Sequence, residues 1–257
     1  MGHNLVDTCS FWVSNLTFTT MSLRQIDFSQ VLSDDQVYDH MMASYHELGR
    51  EWIVHQWNWM NNTYQAFRDH YKYLIVISLV EKTLQFYDQM NIQYSFDQFY
   101  SKTYLHIEKF SITELCDKLQ LPKETVRRKV LELEKLGVLK RIKKQIIIDR
   151  SVFPQIKPER QVKSTARYIY LISKIFNKEK IFLKKTDIST IENTMKKNFS
   201  ICWRWFYRMQ IPIVIGYHEM FEDVATFHIW GTIAMNQAFN LKNFIENTNI
   251  KPLINNY

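Results

Sequence analysis

Apolar positions recur along most of the chain at spacings of three and four, the mark of helices with one buried face. Ser33 ahead of Asp34 and Asp35 sets a capping hydroxyl and two carboxylates at a helix start. That helix is predicted to run to about Leu48, with Gly49 just past its end. Two more helices are predicted over about 51–60 and 63–90, followed by an aromatic, irregular stretch at 91–104. Residues 1–32 hold only short mixed runs, such as Phe11-Trp12-Val13, that fit a strand or an irregular arm. Pro154 and Pro158 punctuate a linker, after which 159–176 reads as a helix with Tyr168, Leu171, Ile172 and Ile175 apolar. Thr186-Asp187 opens another helix, and 198–208 and 219–241 read as helices rich in aromatics and Met.

The sharpest pattern lies between Phe110 and Arg150. Ser111 followed by Glu114 reads as a capping box, and Ile112, Leu115 and Leu119 give the short helix behind it one apolar face. Gln120-Leu121-Pro122 breaks the pattern, and Pro122 suits the first positions of a second helix. There Val126, Val130 and Leu133 face inward, while Glu124, Arg128, Leu131 and Lys135 point the other way with Arg127 beside them. Gly137 stops the helix. Val138–Ile142 and Gln145–Ile148, joined by Lys143-Lys144, are short and β-branched and read as a hairpin. Helix, tight turn, helix, glycine and basic hairpin make the layout of a winged helix-turn-helix. Its second helix would fit the DNA major groove, roughly 12 Å wide.

Composition agrees with a helical fold. Only 5 Gly and 5 Pro occur in 257 residues, which argues against glycine-rich phosphate cradles and turn-dense sandwiches. The expected class is mainly α with a small β-hairpin wing, a winged helix-turn-helix flanked by helical regions. The expected division is an N-terminal helical region or arm at 1–61, the winged helix at 62–155, and a helical domain for dimerisation or ligand sensing at 156–257. Charge locates the function better than it defines the fold. Of the net +7, the stretch from Lys102 to Lys163 carries 16 Lys and Arg against 8 Asp and Glu, whereas 1–101 carries 5 against 11. A basic block of this kind is the electrostatic footprint expected for a polyanion.

The segment resembles the DNA-binding domain of the cyclic-AMP receptor and fumarate–nitrate regulator family of bacterial transcription factors. The resemblance is carried by Lys123-Glu124-Thr125-Val126-Arg127-Arg128, by Leu133-Glu134-Lys135-Leu136-Gly137-Val138-Leu139, and by Ile146-Ile147-Ile148-Asp149. It implies base reading by Lys123, Glu124 and Arg128, with Arg127 beside them, and a phosphate contact by Thr125. Ser111, Lys129, Lys140, Arg141, Lys143 and Lys144 complete the expected phosphate-contacting set. Three positions depart from the pattern: Gln120 where a left-handed glycine is common, Pro122 in place of a hydroxyl cap, and Lys143 where a wing tip often has glycine. The family's sensor domains do not match, since 1–101 has two glycines and one cysteine and reads helical.

Other chemistries find little footing. Three scattered cysteines suggest neither a disulfide framework nor a thiolate metal site, and a reducing cytoplasmic setting is expected. No apolar run approaches the roughly 18 residues that span a bilayer. Glu51 with His55, and His218 with Glu222, share helix faces that could touch a divalent metal, but core or surface histidines are the commoner outcome. No catalytic constellation, metal site or cofactor is expected. Trp203, Trp205, Phe206 and Tyr207 read as packed core or dimer interface ahead of a ligand pocket. The expected protein is a DNA-binding transcriptional regulator, not an enzyme. Its expected partners are double-stranded DNA, a second copy in a homodimer and an unidentified small-molecule effector. A plasmid- or phage-type replication or partition protein, and a winged helix used only for protein contact, remain open beside it.

Overall fold

The computed structural model describes residues 33–107, 111–142, 145–152, 158–178 and 186–248, so the arm at 1–32, Pro154 and the Lys143-Lys144 turn lie outside the described residues. Ser33 caps helix α1 (Asp34–Ala43) with a complete capping box, its hydroxyl accepting from the Gln36 N–H while the Gln36 side chain accepts from the Ser33 N–H. Helix α2 (Tyr45–Phe67) begins one residue after Ser44 and runs straight through Gly49, where the sequence predicts a stop. The Tyr45 ring explains the glycine: a Cβ at Gly49 would stand 2.8 Å from it. Gly49 admits a ring and ends nothing.

The stretch predicted as one helix over 63–90 is in fact broken. Arg68 adopts φ 52° in the left-handed region, and the Asp69 carboxylate accepts from the Lys72 N–H at 3.0 Å to restart the chain as α3 (His70–Gln89). The run Leu74–Val80 is buried throughout, as for a helix enclosed by neighbours on every side. The supposedly irregular stretch after it holds two elements. Ser95 and Gln98 form a capping box for the short α4 (Phe96–Tyr100), and β1 spans Tyr104–Ile107 with Leu105 and Ile107 buried.

Helices α5 (Ile112–Leu119) and α6 (Lys123–Lys135) follow, then β2 (Leu139–Ile142) and β3 (Gln145–Asp149). The three strands form one antiparallel sheet in the order β1-β3-β2, with Leu105 and Leu139 both registered on Ile148. The hairpin thus gains a third strand that its own sequence does not announce. Arg150 pins the sheet to α4: its guanidinium donates to the backbone carbonyls of Phe99 and Lys102 and lies 4.8 Å from the Phe99 and Tyr100 ring centres.

The chain then runs through α7 (Glu159–Lys178), α8 (Ile188–Lys197), α9 (Phe199–Phe221) and α10 (Val224–Thr248). Asp187 caps α8, as its sequence predicts, by accepting from the Thr190 N–H at 2.8 Å. Among the described residues the chain is therefore mainly helical with one small sheet. A single cluster of buried side chains draws on all three stretches into which the sequence divides, from Trp59 and Leu74 through Val126 and Ile148 to Trp203 and Val224. At its centre is an aromatic column on α9, in which Trp203 stacks on Phe199 at 5.0 Å and on Phe206 at 4.6 Å. Trp203, Phe206 and Tyr207 are core, as their reading from sequence favours.

Candidate nucleic-acid interface

The turn between α5 and α6 is built by backbone geometry, with side chains holding it in place. Gln120 takes the left-handed conformation (φ 53°, ψ 37°) that its position demands, and its N–H and that of Leu121 both bond the Cys116 carbonyl. Leu121 is buried beneath the turn, and Pro122 (φ −56°) stands as the N-cap of α6 without any side-chain cap. Glu124 places a carboxylate among the unpaired N–H groups of the first turn, where the helix dipole favours it. At the other end Gly137 (φ 74°) closes a Schellman motif, in which the Val138 N–H bonds Leu133 O and the Gly137 N–H bonds Glu134 O.

Helix α6 is clamped on one side. Val126, Val130 and Leu133 are fully buried, and two ion pairs fix the helix to α3: Lys129 with Asp69 at 2.5 Å and Lys72 with Glu132 at 2.8 Å. The hydrogen bond from Lys72 holds the Glu132 carboxyl below its usual range. The other side is open. Lys123, Glu124, Arg127, Arg128, Leu131 and Lys135 are all exposed. Lys123, Glu124 and Arg127 make no ion pair or hydrogen bond among the described residues, and Arg128 approaches Glu132 only to 4.0 Å. The four expected base readers therefore share one exposed, mainly cationic surface.

The expected phosphate contacts divide. Thr125 is half-buried beside that surface. The Ser111 hydroxyl accepts from the Glu114 N–H at 3.2 Å, so half of the predicted capping box forms; the Glu114 side chain pairs instead with Lys82 at 2.5 Å. Lys129 is only 14% exposed and engaged by Asp69 and Glu132. Lys140 bonds the buried Asp149 carboxylate at 2.5 Å, holding that carboxyl below its usual range, and Arg141 bonds Glu134 at 2.6 Å. Lys143 and Lys144 lie outside the described residues.

Comparison of the chain with family models, with curated proteins and with solved structures finds no match.

Both histidines of the two candidate metal faces bond other side chains. His55 bonds Ser164 at 2.9 Å and Gln161 at 3.2 Å, Glu51 pairs with Arg167, and His218 bonds the Tyr71 hydroxyl at 3.0 Å. No cluster of three or more metal-ligating side chains occurs among the described residues, and no described helix is long and apolar enough to cross a membrane. What sequence reading missed is a cavity between α2 and the α9–α10 corner, walled in part by Trp52 and Trp57. No local pattern marks it: Gly231 lies on its lining, but a Cβ there would meet Trp57 Cδ1 at an ordinary 3.9 Å.

Proposed function

We propose that the chain is a sequence-specific DNA-binding transcriptional regulator that reads duplex DNA with α6 as the recognition helix of a winged helix-turn-helix. One observation carries the reading: the outward face of α6 presents Lys123, Arg127, Arg128 and Lys135 with almost no internal charge partners, while its inward face is locked by core and by two ion pairs. Unneutralised cations on a rigid, exposed helix are what groove binding requires. The sheet order β1-β3-β2, with α5 and α6 inserted after β1, supports the same reading. In this reading Arg127 and Arg128 supply guanidinium forks for guanine edges, Glu124 accepts from cytosine, and Leu131 offers an apolar contact to a thymine methyl. Lys129 serves α3 instead of phosphate. A two-fold symmetric operator calls for a homodimer, and Ile229 and Ile233, one turn apart on α10 and each more than half exposed, offer the apolar face for a second copy.

The test is a competition titration against a randomised duplex library, read for preference, affinity and stoichiometry. Arg128→Ala is expected to cost about 1–3 kcal/mol at the preferred sequence and to relax preference at one base pair. Lys143→Ala is expected to weaken all duplexes alike, and the native chain to bind as two copies per site. Uniform loss of affinity in both variants would remove Arg128 as a base reader, and one chain per site would remove the dimer.

A further inference from the structure

We propose that the cavity between α2 and the α9–α10 corner is a binding site for an aromatic carboxylic acid. This stands apart from the DNA reading and holds whether or not α6 enters a groove. The cavity measures about 740 Å³, within the range of small-molecule sites, and its walls are Trp52, Trp57, Phe221, Phe227 and Trp230. Several of these rings are fixed. The Trp57 Nε1–H donates to Thr232 Oγ1 at 3.1 Å, Phe227 stacks on Tyr217 at 3.6 Å, and Phe221 packs on Trp230 at 5.4 Å. Preset aromatic walls favour a flat aromatic occupant.

Gln56 is 3% exposed on the lining, with its carboxamide atoms closed off from the open space. Arg50 is exposed on the same lining, where its guanidinium lies 6.0 Å from the Phe239 ring centre and makes no ion pair among the described residues. Among the described residues no Asp or Glu lines the cavity, and the strong charge they place there is positive, matching a carboxylate. Gly231 lies on the lining, where a Cβ would sit at an ordinary 3.9 Å from Trp57 Cδ1, so only a much larger side chain would fill the space.

The experiment titrates the full chain with anionic 8-anilinonaphthalene-1-sulfonate and with uncharged N-phenyl-1-naphthylamine. Each bound dye is then displaced with 2-naphthoic acid. One site per chain is expected for both dyes, and Gly231→Phe, with its melting transition retained, is expected to lose both. Arg50→Gln, an exposed change that leaves packing alone, is expected to weaken the anionic dye about tenfold and the uncharged one less than twofold. Equal binding of both dyes to native and Gly231→Phe chains overturns the proposal, as does an Arg50→Gln chain that no longer distinguishes the anion only because both dyes weaken equally. Absence of dye binding, with Gly231→Phe changing the sedimentation of a self-associated chain, makes the occupant a second copy and overturns it too.

Discussion

Trp203→Ala is expected to destabilise the chain by about 3–5 kcal/mol, a large share of the roughly 5–15 kcal/mol available to a folded domain. Trp203 is 2% exposed and sits mid-column on α9, between Phe199 and Phe206. Phe199 in turn meets Phe96, Phe99 and Tyr100 of α4, and Phe206 meets His55 and Trp59 of α2. Truncation therefore opens a cavity where helices from both ends of the chain join, and the rings around it are held by their other neighbours and cannot collapse inward. Because one cluster of buried side chains spans these elements, unfolding is expected to remain a single transition shifted to lower denaturant. A shift below about 1 kcal/mol, or a split into two transitions, would show that the column does not couple them.

Stability is also expected to fall between pH 6.5 and pH 4, with His55 responsible for about 3 kcal/mol of the loss. Burial lowers its pKa from 6.5 to about 4, and the ring lies between Trp52, Tyr168 and Phe206 with Ser164 and Gln161 on its nitrogens. The folded chain holds this histidine neutral, whereas the unfolded chain takes up a proton below pH 6.5. The stabilisation is thus complete above pH 6.5 and is lost as pH falls toward 4, at 1.36 kcal/mol for each tenfold difference in proton affinity. His70, lowered to about 4 by its own burial with the His228 ring nearby, adds a loss in the same window. Denaturant midpoints at pH 7, 5.5 and 4.5 measure it. His55→Gln is expected to flatten the decline by about one proton, and an unchanged decline would mean that His55 is solvated.

Local rules carried the region around α6 well and long-range pairing poorly. Val126, Val130 and Leu133 face the core, Gly137 ends the helix, and the outward set from Glu124 to Lys135 is exposed, all of which follow from spacing and turn chemistry. Gly49 illustrates the limit of such rules, because a glycine that admits a ring looks in sequence like one that ends a helix. Strand β1 is four residues long and owes its existence to pairing with β3, some forty residues on, so no local signal marks it. The break at Arg68 has no glycine or proline, and depends on Asp69 capping α3. Asp69 also decides the fate of Lys129, a pairing across sixty residues that composition cannot reveal. The exposed cations of α6 were legible, then, while the cations that serve the fold were not distinguishable from them.

The central claim is that this exposed basic face binds duplex DNA, and its most direct test is the salt dependence of that binding. The full chain and a Lys143→Ala variant would be titrated with duplex DNA from about 50 to 200 mM salt. With about six phosphates neutralised, the slope of log affinity against log salt is expected near −5 for the native chain, and about one unit shallower for the variant. A native slope indistinguishable from zero, or no binding even at the lowest salt, would contradict it.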